Sequence, residues 1–148
     1  MNTDQPLSSW QVDFSKRLGL ISLTMSECKH YRAMQFFSLR EWIIPPILHG
    51  NEMVFIRQET GFVDGFMTWA EVNEDTLFSI LNDSNYVLRP SEWKEGNNLV
   101  IMDFSIRYNL LFRKVRELLK NPNLGLYKSA YSIKRDLDGN ITKIYKWK

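Results

Sequence analysis

"NNLVIMDFSI", residues 97–106, is a compact apolar run with one carboxylate, Asp103, near its end. It reads as a buried strand, and the rest of the fold can be laid out around it. Downstream, "YNLLFRKVRELLKNPNLG" (108–125) sets Leu111, Val115 and Leu118 or Leu119 among basic residues and closes at "NPN" and Gly125. That pattern predicts an amphipathic, basic helix. The last stretch, "LYKSAYSIKRDLDGNITKIYKWK" (126–148), is two alternating runs around Asp138 and Gly139, a hairpin signal. Upstream, "NEMVFIRQETGFVDGFMTWAEV" (51–72) reads as another hairpin, with runs Met53 to Gln58 and Phe62 to Ala70 about a turn holding Gly61. Between them "NEDTLFSILND" (73–83) predicts a short helix capped by Asn73, with acidic residues in its first turn and Leu77, Ile80 and Leu81 on one face.

The N-terminal third predicts two helices. In "LSSWQVDFSKRLGLISLTMSE" (7–27), Trp10, Phe14, Leu18, Ile21 and Met25 fall at three- and four-residue steps. "HYRAMQFFSLREWIIPP" (30–46) repeats the pattern through Met34, Phe37 and Trp42, until Pro45 and Pro46 forbid continuation. The order helices, hairpin, helix, strand, helix, hairpin is that of an α+β fold with a mostly antiparallel central sheet flanked by helices.

A chain of 148 residues is the size of one domain and is read as such over residues 1–148. With 44% hydrophobic and 24% charged residues it falls in the soluble globular class rather than the disordered one. No run of eighteen apolar residues exists, and "MNTDQPLSSW" lacks the basic start and apolar stretch of a secretory signal, so a cytoplasmic protein without an integral membrane segment is expected. Cys28 is the only cysteine, which excludes an internal disulfide, and no Cys/His cluster at zinc spacing suggests a metal. Charge is uneven: residues 1–103 carry 8 basic and 14 acidic groups, residues 104–148 carry 11 and 3. The basic last third suits an acidic partner, or is simply a solvated surface.

Imidazole is the side chain whose unperturbed pKa, about 6.5, already lies near neutrality, so the two histidines are the candidates for a general base. His49, in "PPILHGNE", reads as an exposed turn residue. His30 is either a base or one more polar residue at a helix start. Asp103 either meets a buried donor or lies past the strand end in solvent, since an unpaired carboxylate is costly to bury. A carboxylate beside a histidine fixes the ring tautomer and supports the imidazolium.

These residues stand in a wider pattern. An early His before an aromatic-rich helix and "IIPPI", then "FIRQETGFVDGFMTWAEV" with Gly65, Trp69 and Ala70, then "LRPSEWKEGNNLVIMD", follow one another over residues 20 to 105. In this order the chain resembles the toxin-activating lysine acyltransferases, the hemolysin-activating family that acylates internal lysines of RTX protoxins using acyl carrier protein. The resemblance implies a GNAT-like acyltransferase fold, a cytoplasmic homodimer, and His30 and Asp103 as the catalytic pair. Glu27 stands where the family has a serine three residues before the histidine, and "FSIRYN" replaces its Ala-Pro-Phe-Gly run. The chain is also shorter than the family's usual length, which widens the expected acceptor from a protoxin to a small secreted peptide.

The implied chemistry is transfer of a fatty acyl chain from acyl carrier protein, a co-substrate rather than a bound cofactor, to a lysine amine. After Asp103 no glycine-rich turn follows to cradle a CoA pyrophosphate, which agrees with a carrier-protein donor. Carrier proteins are acidic, and Arg107, Arg113, Lys114 and Arg116 are the expected docking residues. An acyl-enzyme through Ser26 or Cys28 is the lesser reading beside a helix-end or packing role. Two rival functions remain at this level. One is a non-catalytic adaptor using the basic face. The other is nucleic-acid binding through the interleaved basic and aromatic residues of 126–148, where Tyr127, Tyr131, Ile141 and Tyr145 fit sheet packing better, so no nucleic-acid partner is expected.

Overall fold

A computed structural model describes residues 5–36, 38–106, 111–120 and 127–148. Among the described residues, six helices, α1 (Ser9–Glu27), α2 (Lys29–Arg32), α3 (Ser38–Trp42), α4 (Ile44–His49), α5 (Glu74–Asn82) and α6 (Leu111–Lys120), accompany five strands. The strands are β1 (Glu52–Ile56), β2 (Val63–Val72), β3 (Asn98–Ile106), β4 (Ser129–Arg135) and β5 (Ile141–Lys146), in one sheet of order β1-β2-β3-β4-β5. Every neighbouring pair is antiparallel except β3 and β4, which run parallel across the α6 connection. This is the α+β architecture expected from the sequence, consistent with a GNAT-like fold.

Local chemistry accounts for most element ends. Ser8 caps α1: its hydroxyl accepts from the Gln11 amide at 3.2 Å while the Gln11 side chain accepts from the Ser8 amide at 2.8 Å. Asn73 caps α5 by accepting from the Thr76 amide at 2.8 Å. Both hairpins turn on a glycine in the left-handed region, Gly61 at φ 71° and Gly139 at φ 85°. Ahead of β3, Gly96 lies so close to the Val72 carbonyl that a Cβ there would overlap it, and its amide donates to the Glu71 carbonyl at 3.0 Å.

Alternation along the strands splits the core between two faces. Met67, Trp69, Leu99, Ile101 and Ala130 pack under α6 through Val115. On the other face Ala70, Val72, Val100 and Ile133 meet α5 and the fully buried Trp93 of a 3₁₀ turn, Pro90–Trp93. Beside them Phe66 packs with Ile21 and Met25 of α1, Tyr31 of α2, and Ile43 and Ile47. Each such aliphatic or aromatic side chain taken from water contributes about 1.5–3 kcal/mol.

The second expected helix is instead three short ones. Pro45 and Pro46 forbid continuation as expected, α3 stopping at Trp42, but the chain restarts at once: they sit in the first turn of α4, where a missing N–H costs nothing and the fixed φ already suits a helix. A continuous helix would have carried them in its interior, at about 3 kcal/mol each. The breaks bury Tyr31, Ile43 and Ile47 while Phe36 stays in solvent. Trp10, expected on the apolar stripe of α1, is also largely exposed and stacks on Phe14 at 5.5 Å. Among the described residues no helix is long and apolar enough to cross a membrane.

Candidate active site

The pairing of β2 with β3 contains one irregularity that decides where Asp103 faces. Thr68 pairs with Asp103 and Trp69 with Ile101, so Met102 is an extra residue in β3. Such a bulge places two successive side chains on the same face. Met102 packs with Val100 and Ile133, Asp103 follows on that same side toward α2, and alternation then resumes with Phe104 on the α6 side. Strict alternation from Ile101 would have sent Asp103 under α6. The fully buried Thr68 stabilises the bulge, its hydroxyl accepting from the Asp103 amide at 3.2 Å.

Immediately beyond the bulge the sheet opens. Pairing of β3 with β4 runs from Asn98 with Ser129 to Ile101 with Ser132 and stops. The two strand ends then flank a wedge. A cavity of about 400 Å³ on the helix side is lined by His30, Trp42, Met102, Asp103, Arg135 and the β4–β5 turn. A smaller one, about 200 Å³, is lined by Cys28, His30, Tyr31, Asp103 and Phe104 with Ile133, Lys134 and Arg135.

His30, on the short α2, is half-buried on this cavity. Its neighbour Tyr31 is buried and sets the local geometry. The Tyr31 hydroxyl lies 3.1 Å from Asp103 Oδ1 and 3.3 Å from the Phe104 carbonyl oxygen, and accepts from the Phe104 amide at 3.2 Å. The His30 and Tyr31 rings meet edge to face, centroids 4.8 Å apart. His30 and Asp103 therefore share a cavity, and among the described residues the hydrogen-bonding partner of the carboxylate is Tyr31 rather than the imidazole.

Arg135 closes the opposite wall. Its Nη1 donates to the carbonyls of Ser84 at 3.0 Å and Gly139 at 2.9 Å, and its guanidinium lies over the Trp42 ring, 5.7 Å from the centroid. Its Nη2 is buried with no hydrogen-bond partner among the described residues. Burial pushes the Asp103 carboxyl above its ordinary range, opposed by the Tyr31 hydrogen bond and by the charges of Arg135 and His30. The same burial, with the Asp103 charge beside it, holds the Tyr31 phenol well above its usual value. Neither Tyr31 nor Arg135 was singled out by sequence. Tyr31 sits inside an apolar helix pattern, and Arg135 looks like one of many basic residues in a hairpin.

The remaining candidates fall elsewhere. His49 is not an exposed turn residue: it ends α4, half-buried, with Nε2 2.9 Å from the Pro90 carbonyl. Ser26 donates to the Leu23 carbonyl at 2.6 Å, a helix-end role, while Cys28 lines the smaller cavity. Arg113 and Arg116 are exposed on α6, across the sheet from His30; Lys114 is on the same helix, and Arg107 lies outside the described residues. Tyr127 is buried in the α6-side core, while Tyr131 and Tyr145 are half-buried beneath the ammonium groups of Lys146 and Lys143.

Comparison with curated proteins gives no match. A family model does match, over residues 10–148, and its description is the RTX toxin acyltransferase family. With nearly its whole length matched, the chain belongs to the RTX toxin acyltransferase family.

Proposed function

We propose that this domain transfers a fatty acyl chain from acyl carrier protein to a lysine amine of a protoxin or small secreted peptide, with His30 as general base and Asp103 as its support. The observation that carries this reading is the placement of His30 and Asp103 on one cavity at the split between β3 and β4. A lysine ammonium, pKa about 10.4 in water, is no nucleophile until it loses a proton. The ammonium gives up one proton to solvent; as the resulting amine attacks the thioester carbonyl and the C–N bond forms, His30 takes a second proton from the attacking nitrogen and the C–S bond breaks. The thiolate then leaves with the proton returned by the imidazolium. The Asp103 charge favours the cationic ring during this cycle.

Arg113 and Arg116, exposed on α6, suit an acidic carrier, and the larger cavity, which His30 and Asp103 share, suits the acceptor lysine. The test mixes the protein with acyl-loaded carrier protein and an acceptor polypeptide encoded beside it. Mass spectrometry should find an acyl increment on lysine, lost with His30→Ala. An undiminished increment with that variant would overturn the assignment of the base.

A further inference from the structure

The contacts of α2 with the bulged strand leave one group unexplained by a His–Asp pair. The Asp103 carboxylate is engaged by the hydroxyl of a tyrosine whose ring is edge-on to the histidine. We propose that Tyr31 is the positioning residue of this site, holding Asp103 through its hydroxyl and His30 through its ring, so that the two reach each other by charge rather than by a shared hydrogen bond. The inference rests on the acyl-transfer reading above.

Three observations carry it. The hydroxyl has one proton and two acceptors in reach, Asp103 Oδ1 at 3.1 Å and the Phe104 carbonyl at 3.3 Å. A charged acceptor takes it in preference to a neutral one. The Phe104 amide, donating to the same oxygen at 3.2 Å, fixes the phenol against the strand and polarises it toward the carboxylate. Finally, the ring is wedged between the His30 imidazole and Phe66, 5.5 Å away, so the phenol is held at both ends. Because residues 30 and 31 are adjacent on one helical turn, locking Tyr31 also fixes the direction in which His30 projects.

Asp103 is surrounded by His30 and Tyr31 from α2 and Arg135 from β4. It shares its cavities with Cys28, Lys134, Asp136 and Asp138. Of these, the phenol is the one that donates to it directly. Removing that donor leaves the ionised carboxylate less favoured, so the step of the acidic limb of the pH–rate profile that belongs to Asp103, distinct from the step at which His30 gains its proton, moves up. Strengthening the donor moves it down.

The experiment measures kcat and KM for acyl transfer from acyl carrier protein across pH 5–9. It compares wild type, Tyr31→Phe, a form with 3-fluorotyrosine at position 31, His30→Ala and Asp103→Asn. Tyr31→Phe should lower kcat by roughly ten- to a hundred-fold, the cost of a misplaced catalytic group, with little change in KM and with the acidic limb shifted upward. The fluorinated phenol, a stronger donor of the same shape, should shift that limb downward, and it remains informative if Tyr31→Phe folds poorly. An unmoved acidic limb in both forms, with His30→Ala and Asp103→Asn inactive, would overturn the role of Tyr31 alone. Activity retained by His30→Ala and Asp103→Asn would instead overturn the acyl-transfer mechanism on which it rests.

Discussion

Asp103 sits where folding and chemistry want different things. Burial raises its pKa, so the native state holds the proton more tightly than the unfolded chain does. Above the native pKa the buried charge is therefore a net cost to folding. That cost shrinks as pH falls and is gone below the ordinary carboxylate value of about 3.9. Asp103→Asn keeps an acceptor for the Tyr31 hydroxyl and removes the charge. The variant should therefore unfold at a higher urea concentration than wild type at pH 7, lose that advantage progressively toward about pH 4, and lose acyl transfer throughout. A lower midpoint at neutral pH would show that the charges of Arg135 and His30 outweigh the desolvation.

At the scale of elements, the bulge in β3 is the decisive local feature, and one hydroxyl holds it. The extra residue leaves the Asp103 amide to Thr68 Oγ1, inside a fully buried position. Thr68→Val keeps the shape and strands that amide. It should cost about 1–3 kcal/mol in urea unfolding, the penalty of an unpaired buried donor, and lower transfer because Asp103 is then less well aimed. Unchanged stability would mean that the amide finds another partner. The broken helix of residues 29–49 makes the same point about element ends. A 3.6-residue apolar pattern was present throughout, but two prolines tolerated only in a first turn forced a restart at Ile44. The breaks then let the four-residue α2 set Tyr31 against β3 while His30 faces the cavity.

Across the whole molecule, the sheet separates the basic helix from the histidine. Arg113 and Arg116 project from α6 into solvent, while Val115 between them is wholly buried against the sheet. A double charge reversal, Arg113→Glu with Arg116→Glu, should leave the fold intact. It should raise KM for the carrier protein several-fold at low salt without lowering kcat, and the effect should fade as ionic strength rises, because exposed charges act within a Debye length of about 8–10 Å. A KM equal to wild type at low salt would move carrier docking off α6.

How much of this was legible beforehand depended on the range of the forces involved. Periodicity and turn chemistry are local, so the strand at 97–106, both hairpins with Gly61 and Gly139, and the Asn73 cap could be read directly from neighbouring residues. The resemblance also named His30 and Asp103. What neighbouring residues could not show was that Met102 is an extra residue, since a bulge exists only relative to the partner strand. They could not show that β3 and β4 part after Ile101, that Tyr31 rather than His30 meets the carboxylate, or that Arg135 faces the same cavity. Each of these is settled by packing between segments tens of residues apart. The sequence by itself determined the strands, the turns and the caps; the tertiary structure alone decided how the helix of residues 29–49 breaks and which side chains face one another, because register and burial are properties of pairs of segments and not of either one.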